Sequence, residues 1–478
     1  MKRIGLVFGL AVLWLGGLPF SAHGFSLLND KLSISGYVQN QSSYRIAGEN
    51  PDQWVSSENR LQLEAEAKLH RNVSVRGIFR GIYDAIYDLR SDSDQWSRDF
   101  GGSRGVLSNE YKVRELHMDA TLGKWDFRIG KQQVVWGETD GLRLMDIVNP
   151  LDMRRQSTAR SWEDIRIPLT MVKAVYRIDP MYNSYLELLW NPGDVGRDKI
   201  YVDTTISNDY KSPWTIPNSK ALLGLQALRL AGRVAVIEEN TPEWINVNKS
   251  EFGARLGGEL GGWALTLNYF KGFSRLPVVE GNLNLLPAPG PGVPPFPVNF
   301  EYPREKIVGF TFNKDSGMWV WRGEFATYLD KHYTITVNRP RPDIMIDEKT
   351  LQASMLGFDY KRNIPWLNPE RTFFISGQVF NFHIFDFEDT MKPRREDSFY
   401  ASLLINTEYI NGKIAPEILA VYDIAATGWQ IKPRVEFKYG DHWRPEIGAL
   451  LYYGNEFEQP YGVLKDKDEI WLRIKYQF

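Results

Sequence analysis

The sequence contains no cysteine among its 478 residues. This absence excludes a lipid anchor on an N-terminal cysteine, a disulfide framework and metal sites built from thiolates. Long apolar runs are also lacking after residue 18. Because an α-helix needs about 20 predominantly apolar residues to cross a bilayer, the chain beyond that point has no candidate for a transmembrane helix.

The sequence has no marked excess of charge of either sign. It contains 57 Lys and Arg against 59 Asp and Glu, which gives a formal net charge of −2. Domains that bind nucleic acid carry a clear basic surplus, so we expect no nucleic-acid partner.

Recognisable catalytic motifs are missing as well. The six His are scattered, and the sequence has no HExxH, GxSxG or phosphate-loop motif. We therefore expect no enzyme activity, no cofactor and no metal site. A barrel phospholipase or protease is the alternative, because carboxylates are plentiful and their positions in space do not follow from the sequence.

The N-terminal 24 residues have the three parts of a secretory signal peptide. Lys2 and Arg3 form a positive start, residues 4–18 are almost continuously apolar, and Ala22 and Gly24 put small residues at −3 and −1 of a cleavage point. We expect residues 1–24 to be removed and residues 25–478 to form one domain. The alternative is an uncleaved membrane anchor.

Later segments alternate strictly between apolar and polar residues. In residues 60–70 the even positions are polar and the odd positions are Leu or Ala. The last strand places Leu472 and Tyr476 on one face and Arg473 and Lys475 on the other. Alternation with period two is typical of β-strands. These segments reach about ten residues and often begin or end in aromatic residues, which favours a membrane barrel over the shorter strands of a soluble β-sandwich.

The connections alternate between short and long. Short ones fall near 70–73, 122–124, 177–183, 258–263, 313–318, 409–413 and 439–443, and long ones near 41–58, 86–109, 134–167, 192–250, 272–302, 331–348, 384–396 and 454–468. This order predicts an all-β fold, a single transmembrane antiparallel β-barrel with about 18 strands, tight periplasmic turns and long outer loops. Counts of 14 or 16 are alternatives, because 363–371 is long for a turn and 425–428 is short for an outer loop.

Two connectors differ from ordinary loops. Residues 218–238 are rich in Leu and Ala, which suggests a short helix, either folded into the lumen or lying on the surface. Residues 287–297 read PAPGPGVPPFP, and so many residues without an N–H cannot join a central strand. This segment is interpreted as a stiff outer loop, either a spacer or a contact surface for an apolar solute or a partner.

One connector carries mixed charge at high density. Gly137 lets the chain turn away from the wall after Trp136, and the next thirty residues hold many carboxylates and arginines. We predict that this loop folds inward, pairs with arginines of the lumen and forms a constriction; a solvated outer loop is the alternative. The candidate residues are Arg76, Arg80, Arg114, Arg128, Lys131, Trp136, Glu138, Asp140, Arg143, Asp146, Asp152, Arg154, Arg155, Glu163, Asp164 and Arg166.

The same region carries a resemblance to a known family. The segments GKQQVVWGE (130–138), DIVNPLD (146–152) and EDIRIPL (163–169) resemble motifs of the proteobacterial outer-membrane family of domain of unknown function 1302. Lys131 stands where Arg is usual in that family. The resemblance implies an outer-membrane barrel, and it implies an inner-membrane transporter of the efflux type as a partner system. It implies no particular solute.

These observations together predict a passive outer-membrane channel with a charged loop in its lumen. The apolar Pro-rich loop and the Leu-rich connector favour a hydrophobic or amphipathic small solute. A general porin for hydrophilic solutes is one alternative, and a sealed structural or adhesive barrel is another. The expected partners are outer-membrane lipid, the barrel-assembly machinery, which would read the terminal Phe478, and the solute itself.

Overall fold

The computed structural model of the chain describes most of the sequence after residue 24. The described residues are 25–47, 53–91, 103–155, 160–194, 196–199, 233–239, 246–282, 292–338, 342–391, 395–455 and 460–478. The expected signal peptide at 1–24 lies outside them.

Strands dominate the described residues. They are β1 (Phe25–Leu27), β2 (Leu32–Arg45), β3 (Gln53–His70), β4 (Val73–Asp84), β5 (Asn109–Leu122), β6 (Trp125–Gln132), β7 (Leu169–Asp179), β8 (Ser184–Asn191), β9 (Val234–Glu239), β10 (Glu251–Leu260), β11 (Trp263–Phe273), β12 (Val278–Asn282), β13 (Phe296–Glu301), β14 (Arg304–Ser316), β15 (Trp319–Asn338), β16 (Pro342–Asn363), β17 (Thr372–Ile384), β18 (Asp397–Asn406), β19 (Ile414–Asp423), β20 (Gly428–Phe437), β21 (Trp443–Tyr453) and β22 (Glu469–Gln477). Three short helices are α1 (Ile86–Leu89), α2 (Ser103–Leu107) and α3 (Trp162–Ile165). No helix of the described part is long and apolar enough to span a bilayer.

Eighteen of these strands form one closed antiparallel barrel. Each wall strand pairs with the next one, and β22 pairs with β2 to close the ring, from Tyr37 opposite Gln477 to Arg45 opposite Glu469. The strands β1, β9, β12 and β13 lie outside this ring. The predicted count of 18 strands is therefore confirmed. The two connections of unusual length do join wall strands, because 364–371 connects β16 to β17 and 424–427 connects β19 to β20.

The predicted alternation sorts side chains between the two faces of the wall. In β3, Leu61 and Leu63 are each 37% exposed on the outside, whereas Arg60 and Gln62 are buried inside. In β22, Ile470 and Leu472 are exposed and Trp471 is buried. An apolar outer face around a polar interior is the arrangement of transmembrane barrels, because lipid contacts one face and the lumen the other.

Aromatic rings cluster at the short-turn end of the barrel. Trp125 and Tyr176 are 4.9 Å apart between ring centroids, and Trp319 and Tyr360 are 4.1 Å apart. Both pairs lie on neighbouring strands within a few residues of a turn. Girdles of aromatic residues occupy this level in membrane barrels, where the rings meet the lipid headgroups.

One prediction about the connectors was wrong, and two others lie partly outside the described residues. The long loop expected at 331–348 is a hairpin, because β15 and β16 continue to Asn338 and Pro342 and alternating Ile and Val residues extend their pairing. A helix was expected over 218–238, and residues 218–232 lie outside the described part. The last residues of this range belong to β9, a strand that pairs in parallel with β13. Of the Pro-rich segment, 292–297 is described, and its last residues enter β13, outside the barrel wall.

Candidate functional site

One long connection folds into the barrel. It leaves the wall after Gln132 and rejoins it at Leu169, and these two residues are paired across β6 and β7. Residues 133–168 are called the lumen loop here. Asn149, which is fully buried, holds the two ends of the loop together. Its Oδ1 accepts from the backbone N of Val134 at 2.7 Å, and its Nδ2 donates to the carbonyl of Ile167 at 2.9 Å.

The tip of the loop reaches the wall formed by β15 and β17. The carboxylate of Asp140 accepts hydrogen bonds from Arg322 at 2.8 Å, from Ser376 at 2.8 Å and from Gln378 at 2.9 Å. Arg322 also donates to Asp359 at 2.5 Å. These wall strands follow the loop by about two hundred residues of sequence. Such contacts require the loop to cross the lumen, which agrees with the inward fold predicted from the sequence.

A second carboxylate of the same wall binds the backbone of the loop. Glu324 of β15 accepts from the backbone N of Met145 at 3.2 Å and from that of Glu138. Gly137 makes the tight bend possible, because a Cβ there would lie 2.8 Å from the backbone N of Asp146. Buried backbone N–H groups need hydrogen-bond acceptors. Glu324 is the acceptor for the N–H groups of Glu138 and Met145, which would otherwise be buried without a partner inside the barrel.

The other side of the loop contacts the wall formed by β3, β4 and β5. Asp164, in α3, lies 2.8 Å from Nη1 of Arg60 and 2.9 Å from Nη2 of Arg80. Arg114 of β5 donates to the carbonyl oxygens of Asp164 and Arg166, at 3.2 and 3.1 Å, and to that of Glu163. Three arginines of adjacent strands thus bind one short turn of the loop.

The charge of Asp164 is stabilised by these arginines. Burial alone would raise the pKa of the Asp164 carboxyl, but the charges of Arg60 and Arg80 outweigh it and hold that pKa well below its usual range. The same balance holds for Asp152, where burial is outweighed by the hydrogen bond and charge of Arg154, so that the pKa of Asp152 is lowered. Both carboxyls are therefore ionised at neutral pH.

Further ion pairs join the loop to the wall and to itself. Arg155 contacts Asp84 of β4 at 2.5 Å. The other pairs are Arg160 with Glu58, Arg154 with Asp152 and Glu110 at 2.6 and 2.9 Å, and Asp146 with Arg143 and Arg166 at 3.2 and 2.7 Å. Because most of these side chains are buried, each charge needs its partner, and the network fixes the loop in one place.

Apolar packing fills the lumen between the loop and one half of the wall. Trp136 and Met145 of the loop are buried against wall residues that include Phe270 and Phe380. The ring of Trp136 meets that of Phe270 edge to face at 6.3 Å, and its Nε1 donates to Glu187 at 2.6 Å. Side chains of the loop and the wall therefore pack together in this half of the lumen.

An open cavity of about 920 Å³ lies on the other side of the loop. The loop forms one of its sides, with Asp140, Arg155 and Trp162 among the lining residues. The opposite side is the wall formed by β2, β3 and β19 to β22. The loop thus divides the lumen into a packed half and an open half.

Most of the predicted residues meet in this network, and some do not. Arg80, Arg114, Trp136, Asp140, Arg143, Asp146, Asp152, Arg154, Arg155, Asp164 and Arg166 make the contacts given above. Glu138 joins the network through its backbone, which contacts Glu324 and Arg322, while its side chain only accepts from Asn313 at 3.3 Å. Glu163 uses only its carbonyl in the described contacts. Arg76 and Arg128 pair instead with the wall carboxylates Glu64 and Asp119, at 2.7 and 2.6 Å, because cross-strand partners lie closer than the loop. Lys131 lies in β6 between Leu116 and Thr170, and no described contact joins it to the loop.

Several residues that hold the loop were not predicted. They are Glu58, Arg60, Asp84, Glu187, Arg322, Glu324, Ser376 and Gln378, all on inward positions of wall strands. Their alternation with apolar residues marks them as inward-facing. Which of them meets the loop depends on the closure of the barrel, so the sequence pattern does not identify them.

Solved outer-membrane proteins resemble the chain along most of its length. OccK8 (OprE) of Pseudomonas aeruginosa is 9% identical, with 94% of this chain and 98% of that chain covered and a TM-score of 0.48. OccK1 (OpdK) of the same organism is also 9% identical, with 94% of this chain and 99% of that chain covered and a TM-score of 0.47. The outer membrane channel DcaP of Acinetobacter baumannii is 10% identical, with 95% of this chain and 100% of that chain covered and a TM-score of 0.42. No curated protein is similar enough in sequence to count as a match.

A family model matches nearly the whole chain. It is described as a protein of unknown function, DUF1302, and it covers residues 48–478, which include the lumen loop and 17 of the 18 barrel strands from β3 onwards. The resemblance seen in the sequence motifs is therefore confirmed, and this chain belongs to the DUF1302 family.

Proposed function

We propose that this protein is an outer-membrane channel for small amphipathic solutes, and that the lumen loop forms a fixed constriction within it. The observation that carries the proposal is the position of the loop. Ion pairs hold it to both sides of the barrel, yet it leaves a cavity of about 920 Å³ beside it. A loop placed in this way narrows the passage without filling it.

The lining of the cavity supports an amphipathic solute. Val421, Leu450 and Tyr452 line it together with Arg434 and Arg473, so both apolar and charged groups are offered to a solute. Selectivity in channels arises from the size of the passage and from the groups that line it. The charged lining by itself would also suit a general porin for hydrophilic solutes, which is the second candidate.

Single-channel recording in planar bilayers tests the proposal. The purified wild-type barrel is expected to give small, stable conductance steps. A variant lacking residues 138–166 should conduct several times more current, because Gln132 and Leu169 are already paired and a short connection can replace the loop. The control is a deletion of residues 386–394, in a loop whose Met391 packs on the β15–β16 hairpin, which should leave the conductance unchanged.

Two results would contradict the proposal. A barrel that conducts neither with the loop nor without it is sealed, as a structural or adhesive barrel would be. A wild-type barrel that does not conduct, combined with a deletion variant that does, shows that the loop is a complete plug. Circular dichroism and heat-modifiable migration in gels establish that each variant is folded before it is recorded.

A further inference from the structure

The open cavity differs in character between its two ends. At the end near the long loops it is lined by apolar and aromatic side chains, namely Val421, Leu450, Tyr452, Tyr461 and Leu464. These residues are buried and pack together around the cavity. The lining of the cavity at this end is therefore apolar, and each of these side chains is at most 7% exposed.

Cations line the other part of the cavity. They lie on three adjacent strands and are Lys432, Arg434, Arg444, Arg473 and Lys475. Arg444 lies next to the first residue of β21, and Tyr452 next to the last, so the two are separated by about 26 Å along the strand. The passage therefore runs from an apolar end to a cationic end along one wall.

The carboxylates of this wall are engaged by only two of the five cations. Glu417 accepts from Arg434 at 2.8 and 2.9 Å. Glu446 lies 3.0 Å from both Arg434 and Arg473, and it also accepts from Nε1 of Trp471 at 2.9 Å. The charges of both carboxylates are thus already balanced by the two arginines, which leaves them little capacity to bind a cationic solute.

The remaining cations have no carboxylate partner within the described part of the chain. Lys475 lies over the ring of Tyr37 at 4.5 Å, and Arg444 donates to the carbonyls of Gly440 and Trp443. Lys432 has no hydrogen bond to a described residue, and the charges that act on it are those of Arg434, Arg473, Glu417 and Glu446. Glu436 is a lining carboxylate of this wall without a described ion pair, so among the side chains of β20 to β22 that line the cavity, three cations and one carboxylate have no described ion pair.

Lys432 stands at the boundary between the two ends. It is paired with Leu419 of β19, and Leu419 packs against the apolar cluster of Val421 and Leu450. Two residues further along β20, Arg434 begins the charged network. An anionic group bound to Lys432 would leave the body of the same molecule against the apolar end.

We infer that the solute is an amphipathic organic anion, with its charged head bound at Lys432 and its apolar body against Val421 and Leu450. This inference rests on the proposed channel function and adds the sign of the charge and the orientation of the solute. A carboxylate or sulfonate head fits, because an ammonium group donates to either. Neutral and cationic molecules of the same size have no equivalent partner at this boundary.

Reversible block of the ion current by added probes tests the inference. The probes are naphthalene-2-sulfonate, trimethylphenylammonium and gluconate, which are an apolar anion, an apolar cation and a polar anion. Naphthalene-2-sulfonate should block at the lowest concentration. In K432Q the blocking concentration of this probe should rise about tenfold, as expected for the loss of one charge-assisted hydrogen bond.

A further variant separates the head from the body of the solute, and another serves as a control. V421T adds a hydroxyl at nearly constant volume and should weaken the block by naphthalene-2-sulfonate by several-fold while leaving that by gluconate unchanged. The matched control is K173Q, a substitution of a lysine of β7. Its charged neighbours are Glu187, Arg128, Asp119 and Arg255, none of which lines the cavity. It should leave the block unchanged.

The possible failures are distinguishable. If no variant conducts, the proposed channel function is wrong and this inference falls with it. If the barrel conducts but the cation blocks as well as the anion, or K432Q and K173Q have the same effect, only this inference is overturned. Since block is measured on conducting channels, every variant that yields a result is folded.

Discussion

At the scale of single residues, the loop is held by carboxylates that each bind several donors. Asp140 binds three donors on one side of the barrel, and Asp164 lies between Arg60 and Arg80 on the other. The two arginines are almost completely buried, with side chains 1% and 3% exposed. Removal of their shared partner would leave Arg80 without a described carboxylate partner and Arg60 with Glu58 alone.

We predict that D164N lowers the free energy of unfolding by about 3 kcal/mol, the usual cost of removing one partner of a buried ion pair. Urea unfolding in lipid vesicles measures this change. The matched control is E163Q, one residue away in α3, whose side chain is exposed and makes no described ion pair. It should change the free energy by less than about 0.5 kcal/mol. Equal effects of the two substitutions would show that Asp164 does not hold the loop.

The effect of D164N should also depend on pH. A carboxyl whose pKa is lowered in the folded protein contributes stability above its unfolded pKa of about 3.9, and this contribution is lost as the pH falls below that value. Because the pKa of Asp164 is lowered, the difference between wild type and D164N should stay constant from pH 8 to about 5 and shrink below about 4. A difference that grew on acidification would contradict the assigned charge state.

At the scale of elements, the wall strands were predictable and the lumen loop was predictable only in outline. Period-two alternation places Leu61 outside and Arg60 inside without any knowledge of neighbouring strands. The inward fold of 133–168 follows from its density of charge. The hairpin of β15 and β16 was missed because its polar residues 331–348 read as a loop, although Ile335, Val337 and Ile344 continue the alternation.

The loop as an element depends on Asn149, which joins its two ends. We predict that N149A makes the backbone amides of residues 133–168 exchange with solvent at least tenfold faster, because the buried N–H of Val134 and carbonyl of Ile167 lose their partner. Hydrogen–deuterium exchange with mass spectrometry measures this rate segment by segment. Exchange in the neighbouring strands β6 and β7 serves as the internal control. Uniform acceleration across the barrel would mean that Asn149 stabilises the wall instead.

At the scale of the whole molecule, closure of the barrel decides which residues form the site. The count of 18 strands follows from alternating turns and loops, but the meeting of Asp140 with Gln378 joins residues 238 positions apart. Such a contact depends on the register of every intervening strand. Arg76 and Arg128 illustrate the limit, since both face inward as predicted and yet bind cross-strand carboxylates.

The central claim is that the lumen loop crosses the barrel, and a disulfide tests it most directly. A Cβ at Gly141 would lie 3.0 Å from Cβ of Ser402 on β18, close to the 3.5–4.5 Å that a disulfide spans, so a small shift suffices. The chain has no cysteine of its own. The variant G141C/S402C should form an internal disulfide on oxidation in high yield. The control G141C/L403C, whose second cysteine faces outward, should not, and equal yields or no disulfide in the first variant would contradict the account.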